Sequence, residues 1–431
     1  MARCPNSLRT ACLLALALLL FDARSALAQF DQYTEPGGPA GRPVSRQEEL
    51  EGKMEAAPLR LGVVRVTPWI GVYDVQYVDN AFGTPGEDEK TSDLTGTVGA
   101  GLRAYLRSGP KVIWAAHLLP EYVAWEELED RRSVNGRYGV LGFGFFNRLT
   151  LEVLAERDQQ QRLASLEVPE QVHLRRERGR LSLEVKATGR ISVFGSGEVV
   201  RVRNVVKDPA EAPLDRLDRD ASYLRAGLRW HLPRGWSLGL GAERSQAEFQ
   251  EEGLDRSNAG TSPVVEVRWD REEHYVRFEA AQRKLEPRQG SSFVPFEETT
   301  ASLEAGFNAD SRLPIWVYGG RGLVYSLAGD YPYFTDDRVG IAGRLKLGWR
   351  TDLALFGEVG RHDYTASAAG VPDRRDDTSA YGAGLGFGLG RSARLTVAAR
   401  RVELDSNLPL LDRSVTFLGV GVTLGGRRGE W

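Results

Sequence analysis

Cysteine and methionine are almost missing from this 431-residue chain, two of each, and its one continuous apolar run, residues 11–21, is too short to cross a membrane as a helix, which takes about 18 or more such residues. Both cysteines, Cys4 and Cys12, fall in the first 28 residues, where Arg3 and Arg9 precede the apolar run and Ala26-Leu27-Ala28 follows it. That is the layout of a secretory signal, with cleavage expected before Gln29. The remainder then has no cysteine, which excludes disulfides, thiolate metal sites and cysteine nucleophiles together. Neither cysteine stands at the cleavage point, so a lipid anchor is not expected. Histidine is scarce as well. His117, His173, His231, His274 and His362 share no metal-ligand spacing, and neither a GxSxG nucleophile nor a phosphate-cradling glycine loop accompanies them. The acidic clusters Glu87-Asp88-Glu89, Asp215 to Asp220, Asp336-Asp337 and Asp376-Asp377 lack the ordered spacing of a calcium loop. No enzyme, no cofactor and no metal site is expected. An excess of basic charge is missing too: without Arg3, Arg9, Arg24 and Asp22, the 56 basic and 59 acidic residues become 53 and 58, a formal charge of −5. Nothing here points to nucleic acid.

What the chain has instead is alternation. From Ala221 to Phe249, Leu224, Ala226, Leu228, Trp230 and Leu232 alternate with Tyr223, Arg225, Gly227, Arg229 and His231; after Pro233-Arg234-Gly235, Trp236, Leu238, Leu240 and Ala242 alternate with Ser237, Gly239, Gly241 and Glu243. A period of two with one apolar and one charged face predicts a hairpin of two-faced strands. The strands run near the length of about 9–11 residues that crosses a bilayer at a tilt, longer than the usual strand of a soluble sandwich. The same unit recurs to residue 424, and the pattern predicts eighteen strands. Eight connections are short, at 108–110, 147–148, 188–189, 233–235, 271–273, 309–312, 350–351 and 390–392, and they alternate with nine longer ones. Short turns at one end and long loops at the other are the connectivity of an all-β, up-and-down antiparallel transmembrane barrel. The domain reading is a signal at 1–28, a flexible periplasmic lead at 29–58 rich in Pro, Gly, Glu and Gln with a short pairing or plug role open to it, and the barrel at 59–431.

Parity sorts the side chains. Leu94, Val98, Leu102, Leu224, Leu228, Val339, Ile341, Leu345, Leu347 and Val397 are assigned outward. Arg103, Arg225, Arg229, Glu266, Arg268, Arg277, Glu279, Arg344, Lys346 and Glu358 are assigned to the lumen as pore-lining candidates. A dry core cannot hold that many charges, because each ion costs several kcal/mol to desolvate, so the interior is expected to be wet. Trp114, Trp230, Trp236, Trp269, Trp316 and Trp349 lie near short turns, where an aromatic girdle belongs. Such a barrel is expected in the bacterial outer membrane, in contact with lipid, lipopolysaccharide and the barrel-assembly machinery.

Thr67-Pro68 opens a strand that closes on Tyr77, Asp79-Asn80 and Phe82. With these six residues the chain resembles a family of outer-membrane β-barrel porins associated with exopolysaccharide production. The resemblance implies a conduit that passes or assists export of a polysaccharide, with periplasmic export components as partners. The alternatives are a general or solute-selective porin for small hydrophilic molecules, and a non-conducting structural or adhesive barrel. Phe417, Gly419, Val422 and Leu424 partly resemble an internal assembly signal, while the terminal Trp431 is out of step with the last strand.

Overall fold

The computed structural model describes residues 46–85, 90–163, 167, 171–205, 216–250, 256–271, 274–307, 312–390 and 393–425. The expected signal, most of the lead and Trp431 lie outside them. A helix, α1 (Arg46–Glu55), and a three-residue strand, β1 (Leu59–Leu61), precede eighteen long strands. These are β2 (Val64–Val78), β3 (Asp93–Arg107), β4 (Val112–Trp125), β5 (Ser133–Phe145), β6 (Leu149–Leu163), β7 (Gln171–Lys186), β8 (Ile191–Asn204), β9 (Arg219–His231) and β10 (Trp236–Phe249). They continue as β11 (Asn258–Arg271), β12 (His274–Pro287), β13 (Phe296–Phe307), β14 (Ile315–Tyr325), β15 (Tyr333–Lys346), β16 (Thr351–Thr365), β17 (Arg375–Gly388), β18 (Ala393–Ser406) and β19 (Arg413–Gly425). From β2 on, each strand pairs antiparallel with its chain neighbours, and β19 pairs back onto β2, from Phe417 opposite Val78 to Gly425 opposite Trp69. The sheet is a closed barrel of eighteen strands, as the alternation predicts. Long and short connections alternate around it except at β13–β14, where 308–314 matches the length of the following connection, 326–332.

The two faces are inverted relative to a soluble protein. On β9, Leu224 is 63% exposed and the next residue, Arg225, only 5%. Val98, Leu102, Leu228, Val339, Ile341, Leu347 and Val397 are likewise exposed on the outer wall, while Glu243, Glu266 and Arg283 are buried inside. Only a lipid solvent suits such an exterior, and closure leaves no strand edge with unpaired N–H and C=O groups in it.

The seam between first and last strands explains an unusual residue choice. Residues Val64 to Val66 pair with β1 on one edge, and β19 takes over that edge only at Trp69. Pro68 sits in the gap, where its missing N–H costs no ladder bond on that edge. A bulge follows at Asp74, whose φ of 49° and the register shift between Tyr73 and Gln76 mark an extra residue.

The described end of the lead lies against the barrel wall. Residues 46–55 form α1, and Leu50, 5% exposed, packs with Met54 against Tyr105, Ile113, Ala115 and Phe143, all on the inner wall of β3–β5. Few apolar residues were needed, which is why no period showed. One leucine per helix is enough when the receiving surface is already aromatic.

Candidate functional site: the barrel lumen

The inner wall of β7–β12 carries a lattice of paired charges. Arg225 donates to Glu243 at 2.6 Å, to Glu279 at 2.7 Å and to Glu266 at 3.3 Å. Arg229 donates to Glu266 at 2.9 Å and to Glu184, with its guanidinium 4.7 Å from the Phe194 ring. Arg283 donates to the other oxygen of Glu243 at 2.6 Å, and Arg268 to Glu266 at 3.0 Å. The antiparallel register sets the pattern: Arg225 lies directly opposite Glu243, whereas the like-charged Glu266 and Glu279 face each other and are bridged by Arg225. A second cluster surrounds Glu156, with Arg137 at 3.8 Å, Arg178 at 3.9 Å and His117 at 3.6 Å; Arg178 also meets Glu198 at 3.5 Å. Deleting one partner of such a buried pair costs about 3–5 kcal/mol, because the other charge is left without compensation.

All ten pore-lining candidates fall on inward parity, but the structure divides them. Arg225, Arg229, Glu266, Arg268 and Glu279 belong to the lattice. Arg277 sits opposite Arg268 and Glu304, with its guanidinium 5.9 Å from the Tyr275 ring. Arg103 is buried opposite Thr67 and His117, and Glu358 lies opposite Gly340 on β15. Arg344 and Lys346 stand apart at the short-turn mouth, exposed, with Arg344 3.9 Å from Asp352. Arg229 and Arg344, both assigned to the lumen from the sequence, are therefore different in kind: one is held by two carboxylates, the other is exposed with Asp352 3.9 Å away. Of the girdle, Trp114, Trp230, Trp236 and Trp269 are outward, with Trp236 and Trp269 stacked at 5.8 Å between ring centres, and Trp349 is 84% exposed in a turn under Arg350. Trp316 is a correction. It pairs with Ala342 and Gly306, on the same side as Arg344 and Glu304, and so points into the lumen while its neighbour Val317 faces out.

Toward the long connections the lumen carries an apolar cluster. Tyr223, Ala247, Phe249, Leu285 and Phe296 of the wall pack with Leu217, Phe293 and Leu327, which come from three different long connections, and with Leu323, Tyr325 and Tyr333 at the end of the β14–β15 hairpin. Tyr325 meets the Phe249 ring edge-on at 4.8 Å and receives a 2.9 Å bond from Asn258.

The hairpin tip, residues 326–332, is held from every side. Glu167, from the β6–β7 connection and 2% exposed, accepts from Ser326 Oγ, from the Leu327 N–H at 3.1 Å and from the Ala328 N–H at 3.4 Å. Arg256, from β10–β11, donates to the carbonyls of Ser326 at 2.7 Å and Pro332 at 3.0 Å, and to that of Arg216. Arg216, from β8–β9, donates to the Leu327 carbonyl at 3.0 Å. On the far side the Ser367 N–H reaches the Asp330 carbonyl at 2.8 Å and the Tyr331 hydroxyl the Pro372 carbonyl at 2.7 Å. The β6–β7 and β14–β15 connections are eight strands apart in a ring of eighteen, nearly opposite one another. Their meeting takes chain across the mouth. Glu167, Arg216 and Arg256 carry no period-two signal that marks such a role, because all three lie in irregular connections.

Of the six motif residues, Asp79 and Asn80 form a corner at the seam. Asp79 exchanges bonds with the backbone of Thr416, its carboxylate accepting at 2.6 Å. Asn80, fully buried, donates to the carbonyls of Ser414 and Thr84 and accepts from Thr84. Phe82 lies under the Arg131 guanidinium at 3.7 Å, and Tyr77 points outward. Thr67 and Pro68 lie at the start of the same strand. Asp79 and Asn80 tie the first strand to the last, while Thr67 stands opposite the inward Arg103.

No protein-family model matches the chain, and no curated protein matches its sequence. Among solved structures it resembles the outer membrane protein OpdK from Pseudomonas aeruginosa, at 12% identity and a TM-score of 0.48 over 84% of this chain and 99% of that one. OccAB3 from Acinetobacter baumannii gives 11% and 0.47 over 84% and 99%. A BenF-like porin from Pseudomonas fluorescens Pf-5 gives 9% and 0.48 over 85% and 100%. At such values these are large barrels of like extent, and no activity passes from them to this chain.

Proposed function

We propose that this chain is a bacterial outer-membrane pore for small hydrophilic solutes, with a passage narrowed by its own connections. The carrying observation is the charged, membrane-jacketed lumen whose outer mouth is crossed where Glu167 meets the 326–332 turn. A charged interior serves water-borne solutes, and a crossed mouth favours small ones over a polymer. Exopolysaccharide export has little to rest on, since the motif residues that suggest it are joining strands. Barrel-assembly machinery is the expected partner in biogenesis. The second reading is a non-conducting structural barrel, favoured by the buried apolar cluster around Phe249 and Tyr325. The test is osmotic swelling of proteoliposomes in sugars of graded size. Entry of mono- and disaccharides with exclusion of long oligosaccharides is expected. Equal entry of long oligosaccharides would restore the wide conduit, and absence of swelling with a folded barrel would favour the structural reading.

A further inference from the structure

The outer wall carries a second charged feature, on β6–β9 toward the long connections. Outward positions on β9 run Trp230, Leu228, Ala226, Leu224, Ser222, Asp220, and on β7 they run Val185, Leu183, Leu181, Gly179, Glu177, Arg175. Trp230 to Asp220 is a rise of about 33 Å along the strand, which at the usual tilt of about 40° is about 25 Å of height, the thickness of an apolar band. The residues just beyond the band lie side by side in two rows. Arg157, Glu177, Arg201 and Asp220 are mutually opposite on β6 to β9, and Arg175 and Arg203 are opposite one level higher. Two carboxylates serve four guanidinium groups: Glu177 has Arg157 at 4.0 Å, Arg175 at 3.6 Å and Arg201 at 3.9 Å, and Asp220 has Arg201 at 3.1 Å and Arg203 at 2.9 Å. Arg157 and Arg201 remain about half exposed, at 48% and 57%.

The same level across the barrel is built differently. On β14–β18 each outward arginine has its own carboxylate: Arg321 with Asp337 at 2.9 Å, Arg361 with Asp377 at 2.8 Å, Arg375 with Asp363 at 2.5 Å and Arg401 with Glu403 at 2.6 Å. A rim that needed only solvation or strand pairing would look like this on both sides. Among the described residues, the β6–β9 sector instead leaves two positive charges over, at headgroup height and facing lipid.

We propose that Arg157, Arg175, Arg201 and Arg203 form a docking site for the phosphates of a lipid A-type glycolipid in the outer leaflet. This rests on the outer-membrane reading above, with the long connections outside. A phosphate presents several acceptor oxygens to planar guanidinium forks, which bind it bidentately, and Arg203 is held in place by its bonds to the carbonyls of Val202 and Arg219, both 2.8 Å.

The experiment titrates the purified full chain in detergent with diphosphoryl lipid A and with the same lipid dephosphorylated, and counts bound lipid by native mass spectrometry. The double variant Arg175→Gln/Arg201→Gln is compared with Arg361→Gln/Arg375→Gln from the balanced sector. Diphosphoryl lipid A is expected to bind the first variant at least tenfold more weakly than wild type and the second unchanged, with little binding of the dephosphorylated lipid and no competition from inorganic phosphate at the same concentration. Equal binding of both lipids, equal loss in both variants, or displacement by inorganic phosphate would each overturn the site. Heat-modifiable migration and insertion of each variant into liposomes are scored in parallel. A wild-type chain that never inserts defeats the membrane reading itself, whereas an inserted barrel indifferent to phosphate defeats only the docking site.

Discussion

Arg256→Ala is the sharpest perturbation of the crossed mouth. The guanidinium, 4% exposed and 5.0 Å from the Phe249 ring, satisfies three carbonyls at once, those of Ser326, Pro332 and Arg216. Truncation strands the carbonyls of Ser326 and Arg216 and leaves that of Pro332 with only the Ser326 N–H at 3.3 Å, in a place where the surrounding aromatic cluster admits little water. At about 1 kcal/mol for each of the two stranded groups, the low end for a buried group left without a partner, the closed arrangement loses about 2 kcal/mol relative to one in which the tip swings out and its carbonyls are hydrated. That is more than one power of ten in the ratio of closed to open. The barrel should survive, because its ladder does not involve Arg256. Single-channel recording in planar bilayers should show larger or longer open steps for Arg256→Ala than for wild type. Arg256→Lys should fall on the side of Ala, since one ammonium lacks the fork that spans three acceptors. A folded, heat-modifiable Arg256→Ala barrel with wild-type conductance would refute the claim that the 326–332 turn sets the width of the path.

Four further outcomes follow from particular contacts. Leu224→Arg, on the lipid face near mid-height, should cost about 2–4 kcal/mol and lower the folded yield in liposome refolding, while Ala369→Arg in an exposed loop should not; equal yields would mean the outward assignment is wrong. Single cysteines at Ala369 and Gly189, both exposed and the latter with open space for a side chain, should label from outside intact cells and only after permeabilisation, respectively; the reverse order would invert the topology. Asn80→Ala removes an amide that holds Thr84 and Ser414, and a heat-modifiability midpoint unchanged within error would show that the corner does not secure the seam. The Glu51 carboxyl is held below its usual range, by the Gln47 amide first and then by Arg107, so its part in docking α1 is present at neutral pH and lost as pH falls through that lowered value; proteolysis in the 46–55 segment should quicken on acidification in wild type and be insensitive to that change in Glu51→Gln.

Much of this architecture was legible because the period-two signal on each strand is long. Strand count, turn alternation and the inward parity of residues such as Arg225 and Glu266 follow from alternation alone, and pairing two-faced strands in order leaves little else to build. Trp316 misled because its strand, Ile315–Tyr325, has small residues at Gly319 and Gly320 and apolar ones on both faces, and its one charge, Arg321, lies on the outward side opposite Asp337, where charge does not mark the lumen. The helix at 46–55 was hidden because its stability comes from the wall it meets, Tyr105 and Phe143, and not from its own pattern. The crossed mouth was beyond reach for a related reason. Glu167, Arg216 and Arg256 act on backbone carbonyls and N–H groups, which every residue carries, so no spacing in the sequence announces them. The lattice was half visible: each charge could be placed inside, but its partner depends on register, and register decided that Arg229 is held between two carboxylates while Arg344 has Asp352 at 3.9 Å.

The most direct test of the central claim is single-channel recording of the unmodified barrel in planar bilayers, with folding verified on the same preparation. Stable ohmic steps, small for a ring of eighteen strands and unaffected by an oligosaccharide too long to enter, are what a charged lumen crossed at its outer mouth predicts. Silence from a folded, inserted barrel, or steps as large as an unobstructed eighteen-stranded lumen would pass, would contradict it.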